Sequence, residues 1–244
     1  MPLLEFALLA FVLVFLVPIA VSATLYVTRS RGDWRSADRS SAGLLPSAAD
    51  HSEAVVRVFS ARTVSWRGIV ATHSWIVIKD TGGRAYQRFD YTAWGEPIWV
   101  DRFVPDGRWF GSTPEVIFAA DGPAAEWMIP PIRETIRTYR YANPGDYRAW
   151  PGPNSNTFVA AVMSAVPEMR ASLPATAIGK DFPFDERWVG LTPSGTGVRI
   201  NLGGYVGLTL GWIEGIEINI LGAVAGVDVR RPAIKLPAVG RVGL

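Results

Sequence analysis

The sequence predicts an α+β domain, an antiparallel sheet with packed helices, carried behind one N-terminal apolar helix. Three observations predict it: a charge-free run at the start, short β-branched and aromatic runs between residues 55 and 103, and two later stretches with apolar residues at helical spacing.

The apolar run extends from Phe6 to Thr28 and is built mainly from Leu, Val, Phe, Ala and Ile. At about 1.5 Å per residue it reaches roughly 35 Å, enough to cross a hydrocarbon core of about 30 Å. Residues 1–28 are therefore expected to form a transmembrane helix, with membrane lipid as its partner. Val21-Ser22-Ala23 resembles a processing site and keeps a cleaved signal peptide open as a second reading. Glu5, the lack of Lys or Arg before the run, and the run's length favour a retained anchor. Arg29, Arg31, Arg35 and Arg39 follow the helix, and such a flank points to the cytoplasmic side. The expected location is the bacterial inner membrane, single-pass, with the side of the water-facing domain left open.

Residues 29–52 are rich in Ser, Ala, Arg and Asp without a sustained period, which reads as a juxtamembrane linker. An α+β core is expected over residues 53–190. Within it, Val55–Phe59, Trp75–Lys79, Tyr86–Tyr91 and Ile98–Phe103 alternate or run apolar between turn residues such as Gly82-Gly83, as strands of an antiparallel sheet do. Asp121-Gly122-Pro123 starts a helix in which Trp127, Ile132, Ile136 and Tyr139 recur, with Pro130-Pro131 expected to kink or split it. A second helix follows Pro151-Gly152-Pro153, capped by Asn154 or Ser155 and presenting Phe158, Val159, Val162, Met163 and Val166. Residues 191–244 carry a different texture. Half of the 24 glycines lie from Gly190 onward, among alternating runs such as Val198/Ile200/Leu202 and Ile216/Ile218/Ile220. This reads as a Gly-rich β-meander completing or covering the sheet. Leu208, Leu210 and Trp212 share one side of a predicted strand and would make an apolar ridge.

Composition removes whole classes of chemistry. The 24 basic and 22 acidic residues are mixed along the chain and leave a net charge of +2, so nucleic acid is not an expected partner. The absence of cysteine excludes disulfides, thiolate zinc sites, iron–sulfur clusters and a cysteine nucleophile. His51 and His73 are the only histidines, so a histidine-rich metal site is excluded as well. No metal and no cofactor is expected.

Two local patterns carry potential chemistry. His73-Ser74-Trp75-Ile76 begins a strongly predicted strand, and Asn154-Ser155-Asn156-Thr157-Phe158 opens a helix. A hydroxyl at a helix start sits where free N–H groups and the positive end of the macrodipole favour developing negative charge. A histidine on a neighbouring strand is a suitable base for it. The plainer readings are a buried structural histidine and an N-cap serine. Trp66, Trp75, Trp94, Trp99 and Trp109 read as core and rim aromatics.

The stretches SSAGLLP at Ser40–Pro46, WPGPNSNTFV at Trp150–Val159, TAIGKDFP at Thr176–Pro183 and PSGTGV at Pro193–Val198 resemble a bacterial family of unknown function, DUF3750. More distantly, the His73 strand followed by the Asn154–Phe158 helix start is similar to circularly permuted papain-like proteins, the NlpC-like and lecithin:retinol acyltransferase-like group. That resemblance implies a permuted papain-like fold, with His73 as base and Ser155 in the place of the group's cysteine. It further implies an orienting residue on a neighbouring strand, with Gln87 and Asp90 as candidates. Asn154 and Asn156 would support the site or its oxyanion hole. A serine cannot be ionised by a helix terminus as a thiol is, so His73 must act as a true base. The implied function is a hydrolase or acyltransferase acting on amide or ester bonds of envelope material, peptidoglycan peptide or lipid. The alternative is a non-catalytic peptide- or lipid-binding module on an enzyme-like fold.

Overall fold

The computed structural model describes residues 2–28 and 34–243. Arg29 and Arg31 of the basic flank lie outside them. Leu3–Thr28 is one helix, apolar and largely exposed, long enough to cross a membrane; a signal sequence near an N-terminus has the same properties. Its middle, Val12–Leu16, is a π-helical turn. Residues 34–52 do not hang free. The Asp106 carboxylate accepts from the Ser41 hydroxyl and the Leu44 N–H, and Arg108 donates to the Ser41 carbonyl.

The first sheet contains β1 (Val55–Arg62), β2 (Thr72–Lys79), β3 (Gln87–Tyr91), β4 (Ile98–Val100) and β5 (Glu115–Asp121), in the order β4-β3-β2-β1-β5 and antiparallel throughout. β5 lies outside the strands predicted above. Both faces are closed. On one, Val56, Val58, Ile76, Ile78, Phe89 and Tyr91 pack against two helices, Gly122–Arg137 and Ser155–Ala165. On the other, Phe59, Trp75 and Val77 pack with Trp109, Phe103 and Phe110. Closure on both sides explains why β1 and β2 read as nearly continuous apolar runs. The Gly122–Arg137 helix contains Pro130 and Pro131 without being split. Each proline removes one donor, but the flanking turns keep their bonds and Thr135 donates its hydroxyl to the Pro131 carbonyl.

The Gly-rich region forms a sheet of its own. β6 (Val189–Leu191), β7 (Gly197–Leu202), β8 (Val206–Gly211), β9 (Gly215–Ile220), β10 (Ala223–Asp228), β11 (Ala233–Leu236) and β12 (Gly240–Gly243) follow one another as an antiparallel meander. Its alternation is inverted relative to a soluble sheet. Arg199, Asn201, Thr209, Glu217, Asn219 and Lys235 are buried, whereas Val198, Ile200, Leu208, Leu210, Ile216, Ile218 and Ile234 are exposed. A salt-bridge network joins this sheet to the loop after the Ser155 helix. Glu217 accepts from Lys180 at 2.5 Å and from Lys235 at 2.6 Å, and Lys180 also reaches Asp181 at 3.0 Å. Burial raises the Glu217 carboxyl, but the two ammonium groups outweigh it and hold the acid below its ordinary range.

Candidate functional site

The site lies where the N-terminal end of β2 meets the start of the Ser155–Ala165 helix. Asn154 caps that helix: its side-chain oxygen accepts from the Asn156 and Thr157 N–H groups, and the Thr157 hydroxyl oxygen accepts from the Asn154 N–H in turn. The capping role thus belongs to Asn154, and the Ser155 hydroxyl is released from it. The Asn154 amide also donates to the carbonyls of Ala149 and Ile178, each at 3.0 Å. Gly179 makes this approach feasible, since a Cβ there would lie 2.2 Å from the Asn154 amide nitrogen at a backbone φ of +90°.

Asn156 is a structural tie. Its side chain accepts from the Ser74 hydroxyl at 2.8 Å and donates to the carbonyls of Thr72 and Ile178. Its backbone N–H is consumed by the Asn154 cap, so it is not available as an oxyanion donor. The Ser155 N–H, one residue earlier, has no such partner among the described residues, as expected of the first helical turn.

His73 is held from behind. Its Nε2 lies 2.8 Å from Asp90 Oδ1, and Arg88 clamps the same carboxylate through Nε at 2.7 Å and a second nitrogen at 2.9 Å. The Arg88 guanidinium lies 4.1 Å from the Trp75 ring centre and donates to the Val104 carbonyl. The His73 ring stacks on Trp109, with centroids 3.7 Å apart and planes 10° from parallel. Burial holds the imidazole below its ordinary 6.5, against the opposing pull of Asp90. For Asp90, burial pushes the carboxyl up, but Arg88 and the His73 hydrogen bond prevail and leave it below its ordinary range. An ionised carboxylate only accepts, so the ring proton belongs on Nε2 and the lone pair on Nδ1.

Of the two orienting candidates, Asp90 is bonded to His73 and Gln87 is not. Strand parity explains the difference. Val77 pairs with Arg88 and Ile78 with Gln87, which puts Arg88 and Asp90 on the His73 face and Gln87 on the helix face. There Gln87 accepts from Arg133 of the Gly122–Arg137 helix at 2.8 Å. The same parity separates Ser74 from His73: Ser74 faces the Ser155 helix, whereas His73 faces Trp109.

His73 and Ser155 nevertheless line one cavity of about 300 Å³ that wraps the end of β2, walled further by Thr72, Trp66, Tyr147, Trp150, Ile178 and Leu221. A second hollow of about 140 Å³ adjoins it across His73, Arg67 and Tyr147, with Trp94 and Trp109 at its far side. No hydrogen bond joins the His73 ring to Ser155, and the Ser155 hydroxyl has no partner among the described residues. The Thr72 hydroxyl, also on the wall, is buried without a partner. The cavity is thus mainly apolar and aromatic, with a few unmatched polar groups, the usual make-up of a ligand site.

Arg88 is the residue that sequence reasoning missed. A signal was present: Gln87-Arg88-Phe89-Asp90-Tyr91 sets opposite charges two apart, and hence on one face of an otherwise apolar strand. The cavity walls at Tyr147, Trp150, Ile178 and Leu221 come from loops and from the second sheet, and nothing local marks them.

No curated protein and no solved structure matches the chain. One family model does, over residues 53–182, a span that contains β1 to β5, both core helices and every polar residue of the site described above. The chain belongs to the family described as proteins of unknown function, DUF3750.

Proposed function

We propose that this domain, anchored by Leu3–Thr28, is a serine-dependent hydrolase or acyltransferase acting on an amide or ester bond of envelope material, lipid or peptidoglycan peptide. The observation that carries the reading is a neutral, carboxylate-backed imidazole on the wall of the cavity that also holds an unengaged serine at a helix start. Ser155 Oγ attacks the carbonyl carbon while His73 Nδ1 takes its proton. His73 returns that proton to the leaving group, and the acyl-serine is then resolved by water or by an acceptor alcohol or amine. Asp90 keeps the ring proton on Nε2 and steadies the imidazolium. The Ser155 N–H and the helix dipole favour the oxyanion. The order of the elements, histidine strand before nucleophile helix, agrees with a permuted papain-like relationship, and we include that relationship in the proposal.

A second reading, a non-catalytic cavity for a peptide or lipid, is favoured by one observation. His73 and Ser155 approach the cavity from different faces of β2 and share no hydrogen bond. Base and nucleophile hydrogen bonds are commonly loose before substrate binds and tighten on it, so this does not displace the first reading. A serine-reactive fluorophosphonate probe on the full chain in membranes separates the two. The catalytic reading expects covalent labelling that disappears in Ser155→Ala and slows by about 100- to 10,000-fold in His73→Ala, the usual weight of a positioned base. An unlabelled wild type, or labelling that survives Ser155→Ala, leaves the binding reading.

A further inference from the structure

The exposed face of the second sheet is unusual in extent and purity. Register carries one aliphatic row through all seven strands: Leu191, Val198, Leu210, Ile216, Val227, Ile234 and Val242 are cross-strand neighbours in that order. A second row runs Val189, Ile200, Leu208, Ile218, Ala225. No charged residue shares these rows, because Arg199, Glu217 and Lys235 all turn inward. Seven strands about 4.8 Å apart, four of them six residues long with a rise of about 3.3 Å each, give a face of roughly 30 by 20 Å at its widest. Soluble monomers rarely leave an apolar patch of that size to water.

We infer that this face docks on the lipid bilayer that the N-terminal helix enters. The helix itself supplies continuity. Its Val12–Leu16 turn packs on β10, and Ala225, which belongs to the outer face by register, is buried. Farther along, the Ser22 hydroxyl donates to the Ile69 carbonyl, tying the helix to the segment that carries the exposed Trp66. Helix and sheet face form one apolar surface. The margins fit the same occupant: Trp188 and Tyr205 stand at one end of the strands, and Trp212 at the other with Arg230 and Arg231 in the turn between β10 and β11. Aromatics and arginines around an aliphatic centre suit the boundary between acyl chains and headgroups. A protein partner would ask for hydrogen-bonding groups across the patch, and the two rows offer none.

Docking of this kind bears on access to the cavity. Trp150 donates its indole N–H to the Leu221 carbonyl and packs edge-on to Tyr205, so the cavity rim is also the rim of the apolar face. The docking surface stands whether or not Ser155 is a nucleophile.

The chain has no cysteine, so single-cysteine variants accept one nitroxide each. Ile200→Cys, Leu208→Cys and Ile218→Cys sit on three different strands, with Arg84→Cys, in the exposed turn between β2 and β3, as reference. The labelled full chain is reconstituted in phosphatidylethanolamine–phosphatidylglycerol vesicles, and each variant is checked by circular dichroism. Relaxation by oxygen is then compared with relaxation by a water-soluble nickel chelate. The expected oxygen-to-nickel ratio is several-fold higher at 200, 208 and 218 than at 84. Equal ratios at all four positions overturn the inference by placing the face in water. Shielding from both reagents with spin–spin broadening at 208 overturns it in favour of a second copy of the chain.

Discussion

The two sheets of this protein use the same period-2 alternation with opposite sign. In the first, β2 sends Ile76 and Ile78 to the helices and Trp75 and Val77 to the aromatic layer, so both faces are closed by apolar packing. In the second, β9 sends Glu217 and Asn219 inward and Ile216 and Ile218 outward. Alternation identifies a strand, but its inner side is set by what the neighbouring elements offer. For β9 the neighbours are Lys180 and Asp181, which give Glu217 and Asn219 charged partners. The first sheet is held by hydrophobic burial, and the second is fastened to the loop after the Ser155 helix by a buried ionic network.

That contrast is open to attack at single residues. Glu217→Ala leaves the buried Lys235 without a carboxylate partner and Lys180 with Asp181 alone, and it is expected to cost about 3–5 kcal/mol in denaturant unfolding, the usual loss when one partner of a buried pair is removed. A cost near zero would mean that the network is solvated. Ile76→Ala, in the closed sheet, is expected to lose about 2–5 kcal/mol through transfer and cavity effects. Ile218→Ala changes the same side-chain type on the outer face, where it is 48% exposed, and in detergent-free water it should lie within about 0.5 kcal/mol of wild type. Similar losses at Ile76 and Ile218 would show the second sheet to be covered.

A smaller effect follows from the site in the first sheet. The folded-state pKa of His73 lies below its ordinary 6.5, so between those values the unfolded chain binds the extra proton. Its contribution to stability is complete above pH 6.5 and declines as the pH falls below it. With only two histidines, a proton NMR titration of ring signals reads this directly. The His73 midpoint should lie below 6.5, and lower still in Asp90→Asn, which removes the carboxylate that pulls it up. A midpoint above 6.5 in the wild type would contradict the buried, neutral ring.

Much of the first sheet was legible because β1 to β3 are dense in Val, Ile, Phe and Trp. β5 was not, since Glu115–Asp121 is an edge strand whose alternation is blurred by two alanines and an acid at each end. The helix start at Ser155 was legible from its turn residues, whereas the choice of Asn154 as cap depended on geometry. His73 stood out at the start of a predicted strand, whereas Asp90 entered, beside Gln87, only as an orienting residue implied by the papain-like resemblance. Choosing Asp90 over Gln87 required the register of β2 against β3, which no local pattern encodes. The meander was legible as strands, but its inversion was hidden, because a buried Glu217 and an exposed one give the same sequence.

The pH dependence of fluorophosphonate labelling tests the central claim most directly, because it couples the nucleophile to the particular histidine. The second-order labelling rate of the full chain in vesicles should fall on acidification with a midpoint below pH 6.5, as protonation of a depressed imidazole requires. His73→Ala should abolish that limb together with most of the rate, and the adduct should map to Ser155. A rate that climbs steadily through pH 6.5–8 and is unchanged in His73→Ala would contradict it.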